Sequence, residues 1–478
     1  MLDISASSEA GSALVKLLET APEMRGKYAC LSHRWIEGDT PTTTESNILE
    51  RTASIEFMSL PLRYQEAISF ARSIGISYLW VDSLCIMQDS GSPDWLKEAP
   101  RMAEYYGNAY LTISASMATE NGQGCYSKTS SGTQGLQFTW RDGTSYAVRF
   151  RIPLSHKESP LHARGWIFQE YMLSRRVVHF LEDEVIWECG EATWCECGRV
   201  NDMRGGSFLL GPISDSLHQS NAYRLKRRFQ SSVETGNCAL RLANTWREII
   251  HEYTKRKLTF QTDVFPALAG LVKKMQALRG SKYYAGLWED DLVGDLLWEA
   301  EDEEWYPVGH TYPPPDKWRA PSWSWASSTA IINWTHSPVD SATGRFEDID
   351  LLSEIFIRDL EVECHHLTED KTMSVESGTL RLTGDLAVAP LRLDKIRGYA
   401  DSNGGGVSLD CLIPAEDIVD PSTLRSLLVA KLGLAGSEYL SLILKPVGTE
   451  LHHYRRIGRL SHPTLLQPTD TSARITII

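Results

Sequence analysis

The sequence lacks most of the signatures that settle a function at once. No apolar run approaches the ~20 residues that a membrane-spanning helix needs. The N-terminus, MLDISASSEAGSALVKLLE, has two early acids and no long apolar stretch, so it reads as neither a signal peptide nor a transit peptide. There is no P-loop, GxGxxG, GxSxG or HExxH motif and no repeat of fixed period. Basic excess is missing as well. The net charge is -14, which argues against a nucleic-acid backbone or an anionic membrane surface as partner. A disulfide framework is also absent. The nine cysteines are odd in number and irregularly spaced, the pattern of a reduced intracellular protein. A cytoplasmic or nuclear location is expected.

What is present is length, ordinary composition and much tryptophan. At 478 residues the chain is too long for one simple core and suggests two or three domains. Hydrophobic content of 42% and charged content of 23% are those of a soluble globular protein. The 15 tryptophans imply large flat buried surfaces or stacking sites.

The pattern of elements changes along the chain. Residues 1–26 form a lead, with one short helix expected through Ala13, Leu14, Leu17 and Leu18. Residues 27–200 read as an α/β domain. Lys27–Leu31 is a strand, and Glu37–Ser46 is a Gly-, Asp-, Pro- and Thr-rich loop. Pro61 opens a helix through Ala67, Ile68, Ala71 and Ile74 that Gly75 ends. Tyr78–Val81 is the next strand, so a parallel pair is expected. Asp94 reads as an N-cap, and Pro100 either kinks that helix or sets its start later. Ala109–Ser114 is a third strand, residues 119–143 an exposed loop, and Tyr146–Ile152 a half-buried strand. A short helix ends near Ser174. Val177–Leu181 and Glu184–Glu188 look like a hairpin turning at Glu182-Asp183. Residues 201–318 have longer helical periods, as in Leu240–Tyr253 and Asp263–Leu278. They end in the acidic run Glu299–Glu304 and the Pro313-Pro314-Pro315 linker. Residues 319–478 are β-rich, with Pro321–Ser327 expected as a buried strand face.

Candidate chemistry gathers where the strand Tyr78–Val81 ends on Asp82, because open α/β sheets bind ligands at the carboxyl ends of their strands. Asp82 reads two ways, as a polar anchor in that crevice or as a cap for the loop. His33 is either its partner or a plain loop residue. Cys85 is either a nucleophile, which needs a base beside it, or a packed core thiol. Glu98 either stabilises a developing cation or is a solvated helix residue. Arg164 and Glu170 bracket Trp166 and Gln169, and they form either an anion site or a structural ion pair. The spacing Cys189-x5-Cys195-x-Cys197 fits structural zinc badly, and no metal is expected.

Three stretches together resemble the fungal heterokaryon-incompatibility (HET) domain. Tyr28-Ala-Cys-Leu-Ser-His-Arg-Trp35 resembles its "LSxxWG" block. Tyr78–Gln88 with Asp94, Trp95, Glu98, Met102, Tyr106 and Ala109 is similar to its "WIDxLCIxQ … DW … E … M … Y … A" block. Arg164-Gly-Trp166-Ile-Phe-Gln169-Glu170 with Leu173, Ser174 and Arg176 resembles "RxWxxQExxLSxR". One departure is Ile36 where the family has Gly, with Gly38 two residues later. The resemblance implies a TIR-related, flavodoxin-like sheet core in the N-terminal half and a role in fungal non-self recognition and programmed cell death. It makes Asp82 and Glu98 the catalytic candidates, with Ser32, His33, Trp35, Cys85, Gln88, Arg164, Trp166, Gln169 and Glu170 as binding candidates. Three functions follow as alternatives: a death-inducing module acting through protein partners or self-association, a TIR-like hydrolase taking the small nucleotide NAD as substrate, or an enzyme recruited to fungal specialised metabolism. No cofactor is implied with certainty.

Overall fold

The computed structural model describes residues 1–5, 14–21, 23–89, 93–126, 135–149, 159–182, 184–196, 201–203, 217–235, 238–301, 312–334, 339–340, 345–346, 351–394, 398–401, 406–411, 417–433 and 438–478. The chain divides into two compact units, Met1–Arg227 and Arg228–Ile478. No helix among the described residues is long and apolar enough to cross a membrane.

The first unit is built on a ten-stranded sheet. Its strands are β1 (Leu2–Asp3), β2 (Leu14–Leu17), β3 (Tyr28–Ser32), β4 (Ile55–Glu56), β5 (Tyr78–Trp80), β6 (Leu111–Ser114), β9 (Arg176–Phe180), β10 (Val185–Cys189), β11 (Ala192–Cys195) and β12 (Asn201–Met203). They lie in the order β12-β11-β10-β9-β6-β3-β5-β1-β2-β4. Four central strands, β5, β3, β6 and β9, are parallel. Counted as they appear in the chain, the parallel strands stand 2-1-3-4. Their residues are mostly apolar and buried, as in a parallel sheet covered on both faces. Strands β3, β5 and β6 bury Ala29, Cys30, Leu31, Leu79, Trp80, Leu111 and Ile113.

The helices are α1 (Ile48–Ala53), α2 (Leu62–Ser73), α3 (Asp82–Cys85), α4 (Pro93–Glu98), α5 (Met102–Asn108) and α6 (Gly165–Leu173), and α7 (Leu217–Thr235) begins in this unit and continues past its last residue, Arg227. Helix α2 follows Pro61 and buries Tyr64, Ala67, Ile68 and Ala71 on one face. Gly75 ends it in a left-handed conformation, φ 75°, which a side chain adopts only with strain. Pro100 lies in a 3₁₀ turn, Ala99–Arg101, that separates α4 from α5. This is the kink expected of a proline with no N–H to give.

Several expectations are corrected. Residues 14–17 form strand β2, not a helix, and β2 pairs with both β1 and β4. Val15 and Leu17 are buried and Lys16 is not, a period of two. Helix α4 starts at Pro93, so Asp94 is not its N-cap. Asp94 instead accepts a hydrogen bond from the Met87 amide at 2.9 Å. The stretch 119–143 is not all loop, because β7 (Gly135–Thr139) pairs with β8 (Ser145–Arg149) in a separate hairpin.

The second unit combines α8 (Ala239–Thr254), α9 (Ala269–Arg279) and α10 (Leu292–Leu296) with an eight-stranded β-barrel-like sheet. Strand Val375–Val388 pairs with both Asp470–Ile477 and Arg425–Leu432, which closes the ring. The expected helix Asp263–Leu278 is broken: 3₁₀ turns at Gln261–Val264 and Pro266–Leu268 precede α9. Pro321–Ser327 is not a strand but a turn and a 3₁₀ segment. Its Trp323 and Trp325 are fully buried with Trp246, Trp288, Trp298 and Trp334, so six of the tryptophans make core here. Glu299, read as linker, sits in strand Glu299–Ala300 and forms a buried ion pair with Arg459.

The end of α2 gives a test. Gly75→Ala finds open space but the wrong backbone angle. It is expected to cost about 1 kcal/mol, read as a lower midpoint for the first unit's urea transition.

Candidate functional site

The site forms where β3, β5 and β6 end together. Ser32, the last residue of β3, is in register with Ser114, the last of β6. Cys30 is beside Trp80 of β5. The residues that follow each strand therefore emerge at one edge.

From β5 the chain passes Val81 into the short helix α3, and Asp82 occupies its first turn. Three donors converge on Asp82. His33 Nε2 lies 3.0 Å from Oδ1, the Ser83 amide 2.7 Å from Oδ1, and Trp35 Nε1 2.7 Å from Oδ2. Burial alone pushes this carboxyl up, but the bonds from His33, Trp35 and Ser83 outweigh it and hold it below the usual range. Asp82 is therefore ionised at neutral pH. His33 is buried, and its Nδ1 lies 3.1 Å from the Arg34 carbonyl oxygen. The Tyr64 hydroxyl stands 3.2 Å from His33 Nε2 and 2.8 Å from Ser83 Oγ. Tyr64 is fully enclosed, and burial raises its phenol so that it stays neutral.

A second carboxyl comes from the other side. Helix α6 carries Glu170, only 4% exposed. Ser32 Oγ lies 2.7 Å from Glu170 Oε2. Burial and the negative charge of Asp82 raise this carboxyl to about 8, against partial relief from Ser32, Tyr106 and the Arg164 charge. At neutral pH Glu170 keeps its proton. Ser174, at the end of α6, donates to the Glu170 carbonyl at 2.7 Å and pairs with Thr112 of β6 at 2.6 Å. The helix that carries the acid is thereby fastened to the strand beside β3.

The other sequence candidates divide. Gln88 donates to the carbonyls of Asp82 and Ile86 at 3.2 and 3.1 Å, which pins the α3 loop. Cys85 packs partly buried against the core and accepts from the Val81 amide at 3.4 Å. Gln169 is buried, and Trp166 is half-buried, next along α6. Trp35 is 38% exposed. Glu98 is buried rather than solvated. Arg101 binds it at 2.9 and 3.1 Å, and the Tyr105 hydroxyl bonds it too. Of the two readings of Arg164 and Glu170, the ion pair between them is not formed among the described residues. Arg164 is half-buried at the N-cap of α6 and acts on Glu170 only through its charge. Cys197 lies outside the described residues, and no group that could hold a metal occurs among those described. At the departure from the family block, Gly38 takes the left-handed turn, φ 75°. The turn is tied down by Arg63, which bonds Asp39 and Thr40.

Sequence reasoning missed Tyr64, Ser83 and Tyr106 as site residues. Tyr64 left a signal: its hydroxyl is on the face of α2 that carries Ala67, Ile68 and Ala71.

A neutral carboxyl beside an ionised one is the arrangement that assigns acid and base roles in an active site. Residues 28–170 match the family model described as Heterokaryon incompatibility protein (HET). Residues 28–170 of the first unit are thus similar to the heterokaryon-incompatibility domain, and His33, Tyr64, Asp82 and Glu170 all fall within the matched stretch. No curated protein matches the chain. No solved structure matches it either.

The raised Glu170 carboxyl has a consequence for stability. The folded protein holds this proton up to about pH 8, while the unfolded chain releases it near 4.5. The proton's contribution is complete below pH 4.5 and is lost as pH rises through about 8. Between pH 6 and 9 the first unit's melting temperature is expected to fall by several degrees. Glu170→Gln, neutral at every pH, should remove that fall in thermal melts.

Proposed function

We propose that this is a heterokaryon-incompatibility protein of fungal non-self recognition, with programmed cell death as its output, and that its HET domain acts by chemistry at Asp82 and Glu170. One observation carries the reading: two carboxyls meet at one sheet edge, Asp82 bonded by His33, Trp35 and the Ser83 amide and Glu170 enclosed against Ser32, an arrangement that favours opposite protonation states. Burying an acid beside a like charge is costly, and such perturbed pairs cluster at functional sites.

The fold adds support for a nucleotide substrate. The strand order 2-1-3-4 is that of flavodoxin-like sheets, which bind ligand where the order reverses, between the first and third strands. Here that place is between β3 and β6, where Ser32 and Ser114 lie in register. This favours TIR-like cleavage of NAD. Water adds to the sugar carbon as the carbon–nitrogen bond breaks, the bonding pair goes to the ring nitrogen, and nicotinamide leaves uncharged. Asp82 stabilises the cation that develops at the sugar and takes the proton released by the water. Glu170 donates a hydrogen bond to the substrate without adding a second negative charge against its pyrophosphate. Arg164, without an ion-pair partner among the described residues, supplies the cation for that group. In this reading Glu170 takes the place that the resemblance gives to Glu98, because Arg101 and Tyr105 already close Glu98.

The test is NAD consumption by purified protein, with growth arrest on expression in a fungal host alongside. Asp82→Asn and Glu170→Gln should each lower turnover by about 100-fold or more, and both should relieve the arrest. Glu98→Gln should retain turnover if the protein stays folded. Turnover that survives in folded Asp82→Asn and Glu170→Gln contradicts the reading, as does a wild-type protein that consumes no NAD.

A further inference from the structure

The segment matched by the HET family ends at Glu170, partway along α6. Besides the Ser174–Thr112 bond, the next turn of that helix is held by contacts from later in the chain. Tyr171 donates to Glu188 Oε2 of β10 at 2.9 Å. Lys226 of α7 reaches Glu188 Oε1 at 2.6 Å, and its ammonium lies 4.3 Å from the centre of the Tyr171 ring. His179 of β9 approaches Glu188 with Nε2 at 3.7 Å. The His179 ring stands edge-on to His162, 5.3 Å away. His162 belongs to the turn Pro160–Ala163 that leads into α6. Lys226 is 2% exposed.

We propose that Lys226 is a positioning residue of the Asp82–Glu170 site: by neutralising Glu188 it locks Tyr171, and so fixes the rotation of the helix that presents Glu170. The working domain of this chain then runs beyond the family match, through β9 and β10 to α7. This inference rests on the reading of Asp82 and Glu170 as the site.

The argument is one of geometry. Neighbouring residues on an α-helix point about 100° apart. Glu170 faces Ser32 on β3, and Tyr171 faces Glu188 on β10. The two bonds grip α6 from two strands, with β6 and β9 between them in the sheet. The Ser174–Thr112 bond fastens the end of the helix, and these two bonds on adjacent residues set the angle about its axis. A buried ion pair adds little net stability over an apolar pair of the same size. Its distinguishing property is directional. A chain running from ammonium to carboxylate to hydroxyl has one geometry, whereas apolar contacts tolerate several. Burial pushes the Glu188 carboxyl up, but Lys226 and His179 overcome this and hold it at about 2, so the charge that orders the chain persists across the physiological range.

The experiment follows the Glu170 carboxyl itself by carbon-13 NMR of glutamate-labelled full-length protein. Its signal is assigned by its absence in Glu170→Gln. Wild type should titrate near 8. Lys226→Met should lower that midpoint by at least about one unit, as a loosened α6 lets water reach the acid. The single variant leaves Glu188 buried without its cation. The pair Glu188→Leu with Lys226→Met therefore accompanies it, carrying no uncompensated charge and no acceptor for Tyr171, and the same fall is expected. Loss of stability alone would not move the midpoint of a protein that is still folded. A wild-type midpoint retained in either folded variant overturns the positioning role. A wild-type midpoint already near 4.5 overturns the reading of the site, and this inference with it.

Discussion

A carboxyl enclosed at Glu170, within the field of an ionised Asp82, is the constraint on which the first unit's arrangement depends. Each nearby feature is a response to it. Ser32 gives the acid a hydrogen-bonding partner at the end of β3. His33, Trp35 and the Ser83 amide hold the opposing charge on Asp82. Tyr64 keeps His33 and Ser83 in place from α2. Ser174 and Thr112 fasten the end of α6 to the sheet. Remove the enclosure and both carboxyls ionise.

The parallel sheet explains why these groups meet. β3, β5 and β6 run in one direction, so the residues after each strand leave at the same edge. Asp82 and His33 are 49 positions apart, and Ser32 and Glu170 are 138 apart. The second unit depends on a different kind of centre. Arg456 is fully buried, bonded to Asp410 at 3.0 and 3.2 Å and to the carbonyls of Leu296 and Trp298 at 2.5 Å. Its guanidinium carbon lies 3.6 Å from the centre of the Trp298 ring. A planar cation with five donors suits such a centre better than lysine does.

The strand at Tyr78 was legible because four apolar residues end abruptly on an acid. Helix α2 was legible from its proline, its spacing and Gly75. The hairpin of β9 and β10 followed from alternation on either side of a polar turn. Short elements were not legible: Leu14–Leu17 fits a period of two as well as a helical one, and only pairing with β1 and β4 decides it. Tryptophans at alternate positions suggested a strand at Pro321–Ser327, but a 3₁₀ turn buries both rings as well. At the site, the residue types and their motif blocks were readable, and so was the link between His33 and Asp82 as one of two options. The division of labour between Glu98 and Glu170 was not. Both are carboxyls in aromatic surroundings, and which one is enclosed beside Asp82 is a property of tertiary packing. Arg101 and Tyr105 close one of them, while burial on α6 neutralises the other.

The central claim is that at neutral pH Glu170 carries a proton and Asp82 does not. Infrared difference spectroscopy between wild type and Glu170→Gln tests it most directly, because a protonated carboxyl absorbs apart from a carboxylate. At pH 7 the wild type should show one protonated-carboxyl band that the variant lacks, and that band should vanish as pH rises through about 8. Asp82→Asn, which takes away a charge that helps raise the Glu170 carboxyl, should make the same band vanish at lower pH. A wild-type spectrum at pH 7 with no protonated band that Glu170→Gln removes contradicts the account.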